Sequence, residues 1–354
     1  MDMRASFETF LNDAIETEFE QFIGAKLYDR SNNRSITNTG DKIYRNGYRT
    51  RKLNTSLGTI TLRIPRTNKV SFMPSFIERY KRNTDELNNL IQQMYVNGVS
   101  TAKINRCTKV LGVSNVSKSQ VSRITDAVYN AVQPKQELNQ TKYEALYIDA
   151  TFEKVRINNR AKLCAMISVL GYTNKGTEFI STYQMPDESY SSYIYVLNDL
   201  KRKGLIPPKL IISDYAAGLI NAMQRVFPDT LHQRCKVHFI RNIFRRLSNR
   251  AKRKLSPQIK RIYYTNDPNI AIQRANALYN KYKSKYPKAM DCLMNGIEST
   301  LTYMHFNNDY LNHRRVSTSN PIERINREFK RRTKSMGVFP SIKACNKIYT
   351  LLIH

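Results

Sequence analysis

Apolar residues recur at helical spacing over the first ~25 positions, where Phe7, Phe10, Leu11, Ala14, Ile15, Phe19, Phe22 and Ile23 predict an amphipathic helix that packs on something. The pattern then changes to a basic hairpin, with 43–53 pairing with 59–64 across Leu57-Gly58 and followed by Pro65 and Pro74. Helical spacing returns from Asn83: Leu87, Leu90, Ile91, Met94 and Tyr95 share a face and Gly98 stops it. Ser100 caps a helix through Val110, and after a turn containing Gly112 the run Ser117-Lys-Ser-Gln120 is a capping box that opens a helix to about Ala131. Helix, glycine-containing turn and capped helix is a helix-turn-helix layout, which would turn Lys118, Ser119, Gln120 and Arg123 toward DNA. A plain three-helix packing unit fits the same pattern.

Beyond a linker from Pro134 to Thr141 the period becomes that of strands. Three come in succession, at about 144–155, 162–170 and 177–184, the last two joined by a turn at Asn174-Lys-Gly176. A helix over 190–203 ends at Gly204 and Pro207-Pro208, a strand over 209–214 follows, then a helix over 216–226, a strand over about 231–237 and a basic helix from near His238. Three strands, then helix, strand, helix, strand is the element order of an α/β ribonuclease H-like core; doubly wound folds begin by alternating strand with helix. From Arg241 to about 307 the pattern is all helical and reads as an insertion before a last helix. The expected division is 1–82 (helix and basic hairpin), 83–135 (helix-turn-helix), 143–240 (first part of the core), 241–312 (helical insertion) and 313–354 (final core helix).

Charge narrows the class of partner. Against 28 acidic residues stand 58 Lys and Arg, a formal net charge of +30. Such an excess signals a polyanion, nucleic acid before an anionic membrane surface, with affinity that falls as salt rises. No apolar run approaches the ~20 residues of a membrane span and the N-terminus lacks a signal-peptide pattern, so a cytoplasmic protein is expected. Five scattered cysteines argue against a disulfide framework.

Within so basic a chain, three carboxylates stand out: Asp149 inside the strand-like run 146–152, Asp214 closing the strand 209–214, and Glu323 at a helix start. Adjacent strands would bring the two aspartates together, and carboxylates that close need cations between them. Magnesium suits hard oxygen ligands, and two ions about 3.5–4 Å apart would clamp an in-line displacement at phosphorus, with Mn²⁺ a substitute. Each residue also has a plain structural role open to it: Asp149 a solvated strand position, Asp214 an N-cap, and Glu323 a capping box closed on Asn320 and Pro321. In the last helix Ile322, Ile325 and Phe329 form the expected buried stripe, Glu323 flanks it beside Asn326 and Lys330, and Arg324, Arg327 and Arg331 turn outward toward a phosphate backbone. His232, Cys235 and His238 are three apart, but a strand passing into a helix would not keep all three on one face, so a zinc site is not expected. The run from Arg241 to Lys254 suits a DNA-contacting surface.

The segments Tyr147-Ile-Asp-Ala-Thr-Phe-Glu-Lys-Val-Arg156, Ile212-Ser-Asp-Tyr-Ala-Ala-Gly-Leu219, Phe227-Pro-Asp-Thr-Leu-His-Gln-Arg-Cys-Lys-Val-His-Phe-Ile-Arg-Asn242 and Ser319-Asn-Pro-Ile-Glu-Arg-Ile-Asn-Arg-Glu-Phe-Lys-Arg-Arg-Thr333 resemble the bacterial insertion-sequence transposases of the Mutator type. The resemblance runs from about Tyr44 to Pro340 and implies a DDE transposase with a helical insertion before the glutamate. It places Asp149, Asp214 and Glu323 on the catalytic, metal-binding positions and the signature Cys-x2-His on Cys235 and His238. It also implies binding of terminal inverted repeats and target DNA by an oligomer, at least a dimer. A catalytically inactive DNA-binding regulator and a ribonuclease H-like nuclease are the alternatives. Relative to the family pattern, the N-terminus is expected to be shorter and the chain to stop before a further helix beyond Phe339-Pro340.

Overall fold

The computed structural model describes residues 2–29, 34–113, 116–131, 137–138, 141–306 and 311–352, so most of the expected linker around Pro134 lies outside the described residues. The chain divides into two compact units, Met1–Val128 and Tyr129–His354.

In the first unit, helix α1 (Met3–Ile23) buries Ile15, Phe19 and Ile23 against Ile60, Leu62 and Ile64. Those three alternate along β2 (Gly58–Thr67), which pairs antiparallel with β1 (Arg45–Thr55). Pro65 lies inside β2 instead of closing it: the ladder shifts register between Arg45 and Tyr48, where Gly47 takes φ 70°, and a proline that donates no hydrogen bond is tolerated at such a bulge. Helices α2 (Asp85–Val96), α3 (Thr101–Val110) and α4 (Lys118–Ala131) follow. Thr84 and Ser100 cap α2 and α3 through their hydroxyls, and Ser117 Oγ accepts from the Gln120 amide at the start of α4.

The second unit is a mixed α/β core, broadly ribonuclease H-like, with a central sheet flanked by helices. β3 (Ala145–Ile157), β4 (Arg160–Thr173) and β5 (Gly176–Met185) form an antiparallel meander. The first turn has Asn158 and Asn159 both at positive φ, the conformation a tight two-residue hairpin needs. After α5 (Tyr190–Arg202), β6 (Leu210–Ser213) adds parallel to β3; after α6 (Ala217–Val226), β7 (Leu231–Arg234) adds parallel to β6. The strand order is β5-β4-β3-β6-β7. Helices α7 (Lys236–Phe244), α8 (Asn249–Ile262), α9 (Pro268–Tyr282), α10 (Pro287–Met294), the short α11 (His313–Val316) and α12 (Asn320–Thr333) come next. The chain then adds β8 (Val338–Phe339), parallel to the far end of β3, and, against expectation, a further helix α13 (Ile342–Leu351). No described helix is long and apolar enough to cross a membrane.

Period-two alternation sorts the sheet into two faces. Leu146, Ile148, Ile167, Val169 and Ile211 pack under α5 and α6, whereas Ala145, Tyr147, Leu210 and Ile212 pack with α7 to α10 and with Ile322 of α12. The helical segment after β7 is therefore no free appendage; Phe239, Ile243, Leu255, Ile259 and Leu293 share a core with the sheet. On β4, Gly171 faces the buried Tyr143 ring so closely that an added Cβ would lie 2.1 Å from Tyr143 Cδ1. Gly171→Ala is accordingly expected to cost about 1–3 kcal/mol by overpacking, read as a lower urea midpoint with an unchanged slope.

Candidate active site

The same alternation places the expected carboxylates. Asp149 continues the face of Ala145 and Tyr147, the parallel pairing with β6 runs as far as Tyr147 opposite Ile212, and Asp214, just past the end of β6, lies within electrostatic reach of Asp149. β6 ends at Ser213, and Tyr215, at φ 79°, breaks the strand immediately after Asp214. A non-glycine residue in that region is strained and persists only where its surroundings hold it. Here the Arg234 guanidinium lies 4.6 Å from the Tyr215 ring centroid and the Tyr215 amide donates to Ser213 Oγ. Asp214 is not a helix cap: the N-cap of α6 is Ala216, which makes no side-chain cap bond.

Burial, together with the neighbouring Asp214 carboxylate, pushes Asp149 up to about 6, against the opposing pull of the Asn326 amide. Asn326 Nδ2 donates to Asp149 Oδ2 at 2.8 Å. Asn326 is buried, not flanking: the stripe that α12 buries is Ile322, Asn326, Phe329 and Thr333, and Ile325 is only half-buried. The helix has rotated relative to the expected stripe because β3 offers Asn326 a carboxylate and Thr333 another, Glu153. A fourth carboxylate, Glu188, missed from the sequence, lies within electrostatic reach of Asp214 and is itself raised by burial.

Glu323 sits in the first turn of α12. The N-cap is Ser319, not Asn320, and its hydroxyl donates to Glu323 Oε1 at 2.6 Å. The carboxylate also faces His238 Nε2 at 3.8 Å and Arg241 Nη1 at 3.9 Å. His238 comes from α7, whose N-cap is Cys235; β7 stops at Arg234, three residues before the expected end, because the Cys235 amide donates to Ser213 O and the Lys236 amide to Ser317 O. Ser319 N in turn donates to Cys235 Sγ at 3.3 Å. Ligand-type atoms of Cys235, His238 and Glu323 lie within 4.8 Å of one another. This is the group gathered so tightly among the described residues; Asp149, Asp214 and Glu323 are not.

Electrostatics bind the two halves of the site. Burial alone would raise the Cys235 thiol, but His238 and the Ser319 amide hold it below its ordinary value. His238 is raised by the Cys235 sulfur, burial opposing, with Glu323 and Asp214 adding to the rise. His232 turns away, as expected: its Nε2 meets Ser213 Oγ at 2.8 Å, and burial pushes it down to about 4, so it is neutral near pH 7. A thiol, an imidazole and a carboxylate suit a borderline-soft ion such as zinc. The aspartate pair offers hard oxygens, and beside it Asn326 Oδ1 is buried with no hydrogen-bond partner among the described residues, which adds a further hard donor. Glu323 is the carboxylate that either set could use.

Arg324, Arg327 and Arg331 are exposed on α12, Arg331 making a two-point ion pair with Glu328 at 2.7–2.9 Å. In the first unit Lys118, Ser119 and Arg123 are exposed and Gln120 half-buried at the start of α4. The sequence signal that could have found Asn326 is its place three residues after Glu323, one turn along the same side of the helix. Nothing local marks Glu188.

A mixed sheet in which an antiparallel three-stranded meander is extended by two parallel strands and flanked by helices places the second unit in the broad ribonuclease H-like class. The chain belongs to the Mutator family of transposases: the family model described as Transposase, Mutator family, matches residues 2–354. It is 34% identical over 345 residues to the transposase for insertion sequence element IS256 in transposon Tn4001 of Staphylococcus aureus, covering 96% of this chain and 86% of that one. It is 29% identical over 351 residues to the transposase for insertion sequence element IS905 of Lactococcus lactis, covering 99% and 87%.

Proposed function

We propose that this chain is a DDE transposase that binds the terminal inverted repeats of an insertion sequence and catalyses cleavage and joining of DNA strands with a divalent metal. What supports this reading is the parallel pairing of β3 with β6, with Asp214 within electrostatic reach of Asp149 and Asn326 of α12 bonded to the Asp149 carboxylate. Asp149 and Asp214 would hold Mg²⁺, in two ions with Mn²⁺ a substitute, and Glu323 would complete the set. Held there, such ions would supply activation of water or a 3′-hydroxyl and neutralisation of charge at a phosphoryl centre. The chain's own part is positional. Asn326 fixes the orientation of the Asp149 carboxylate, while Ser319 and His238 hold Glu323 in the first turn of the same helix, from which it would have to turn to complete the set. Arg324, Arg327 and Arg331 would hold a phosphate backbone along the outer face of α12.

The second unit would be a ribonuclease H-like core, 143–240 and 313–354, interrupted by a helical insertion over 241–312 that packs on it. The α3–α4 pair would be a helix-turn-helix within 83–135, preceded by the 1–82 helix and hairpin, with Lys118, Ser119, Gln120 and Arg123 reaching base edges from the start of α4. The working form would be an oligomer, at least a dimer, since two element ends must be handled together. Purified protein mixed with duplexes carrying the ends of its element should nick them at the element boundary in Mg²⁺ or Mn²⁺ and join the freed 3′-hydroxyl to a target duplex. Binding without either product would defeat the enzymatic claim.

One substitution isolates Asn326. Asn326→Ala removes a buried hydrogen bond to a metal-binding carboxylate, a change that lowers metal affinity by about 10–100-fold in other sites. Cleavage should fall at low Mg²⁺ and recover at high Mg²⁺; an unchanged Mg²⁺ dependence would show that Asn326 does not orient Asp149.

A further inference from the structure

The first unit holds a groove that the helix-turn-helix reading does not use. It has a volume of about 600 Å³ and runs between the edge of β1 at residues 49–54, which bridges to Asn83 at Asn54, and the segment 71–82, with Gln120 of α4 at its margin. Its walls are built into the fold. The Arg51 guanidinium donates to Glu78 O at 2.9 Å and to Lys81 O. The buried Asn54 amide donates to Arg82 O, and Asn54 O accepts from the Thr84 amide, both at 2.9 Å. Asn54 Nδ2 also donates to Asn83 Oδ1.

The groove is cationic without internal compensation. Lys81 is neutralised by Glu78 and Asp85, each at 2.8 Å, but Arg49, Lys52, Arg79 and Arg82 have no acidic partner among the described residues. Tyr80, between the last two, is 93% exposed and sits at φ 65°. Holding a tyrosine in the left-handed region costs on the order of 1 kcal/mol, so this presentation of an apolar ring to solvent is not the relaxed choice of the loop.

Length and charge identify the occupant. Residues 49–54 of an extended strand span about 16 Å at ~3.3 Å per residue. Successive phosphates of one strand are farther apart along the backbone than their ~3.4 Å rise along the axis, so the groove is long enough to face several phosphates, with Arg49, Lys52, Arg79 and Arg82 to meet them. A free nucleotide would leave most of that charge unanswered.

We propose that this groove seats the sugar–phosphate backbone of duplex DNA beside the stretch that α4 would read, so that β1 and the 71–82 segment form a backbone clamp distinct from the helix-turn-helix. The inference rests on the DNA-binding reading above. Phosphate oxygens take the Arg49, Lys52, Arg79 and Arg82 cations, and the Tyr80 ring lies against sugar.

The test is a salt titration of duplex DNA binding by the full chain, followed by fluorescence anisotropy. Lys52→Ala/Arg79→Ala/Arg82→Ala is compared with a control that removes the same charge from exposed sites of the second unit, Lys175→Ala/Lys285→Ala/Lys288→Ala. The groove variant should bind at least about tenfold more weakly at 100 mM salt, with a log–log slope shallower by about 2.7, three phosphate contacts at about 0.9 each. The control should keep the wild-type slope. Arg79→Lys/Arg82→Lys, which preserves charge, should keep the slope as well, and thermal melts confirm that each variant folds. A groove variant indistinguishable from the control, while the wild type binds DNA, overturns the clamp, as does a loss confined to duplex RNA. Wild-type protein with no salt-dependent DNA affinity would instead bring down the function proposed above, and the clamp with it.

Discussion

Asp149→Asn should abolish strand cleavage and joining, by about 10³-fold or more, while leaving affinity for element-end DNA within about twofold. The estimate corresponds to a loss of roughly 4 kcal/mol of transition-state stabilisation, the scale expected when a metal site loses an anionic ligand. The variant should not pay for this in stability. Asp149 titrates near 3.8 in an ordinary setting and is raised to about 6 in the fold, chiefly by burial. A carboxyl raised on folding binds its proton more tightly in the native state, so it destabilises increasingly as pH rises from about 4 through 6 and fully above that. Asparagine removes this penalty, and at pH 7 the melting temperature should stay level or rise. Three outcomes separate the readings. Loss of both products with intact binding supports the trio; normal cleavage by the variant removes Asp149 from the mechanism; wild type that binds without cutting, with a variant of equal biological effect, points to a DNA-binding regulator. Preferential cutting of RNA–DNA hybrids or junctions by the wild type would favour a nuclease.

Glu153→Ala should be the most damaging single change away from the reacting centre. Glu153 is 6% exposed on β3, and its Oε1 accepts from Thr333 Oγ1 at 2.8 Å, from Tyr349 OH at 2.9 Å and from Lys330 Nζ at 3.1 Å. One carboxylate thus ties the end of α12 and the last turn of α13 to the strand that carries Asp149. Removing it leaves two buried hydroxyls short of a charged acceptor, which costs about 3 kcal/mol; Lys330 is half exposed and adds little. Because α12 also carries Asn326 and Glu323, cleavage should fall together with stability. Glu153→Gln, which keeps the shape and one acceptor, should lose less than half as much. Urea unfolding of the three proteins checks this, and a loss below about 1 kcal/mol for Glu153→Ala would show that α12 is held by its apolar contacts alone.

Much of this arrangement is legible in local sequence because it is written in short periods. Phe7 to Ile23 predict α1, the alternation from Ala145 to Ile148 predicts β3, and the capping serines 100 and 117 mark the starts of α3 and α4. What escaped was set by partners far away in the chain. Pro65 reads as a strand terminator until the bulge opposite it at Gly47 is known. β8 is two residues long and exists through Lys154 and Val155, and α13 closes over the Glu153 face. The buried stripe of α12 shifts from Ile325 to Asn326 because a carboxylate waits on β3. Polar residues that satisfy each other across about 180 positions leave no periodic trace.

By itself, the sequence determined most of the elements up to α12, the basic character of the chain and the residue types of the candidate chemistry, since propensity, capping and charge act over a few neighbouring residues. Tertiary structure alone decided which of these meet. The docking of α12 gives Asn326 to the Asp149 carboxylate while turning Glu323 toward His238 and Cys235 and away from the expected trio. The reason is physical: the position of a helix on a sheet is chosen by summed packing and by the need of buried polar groups for partners, and neither quantity can be read from any one segment.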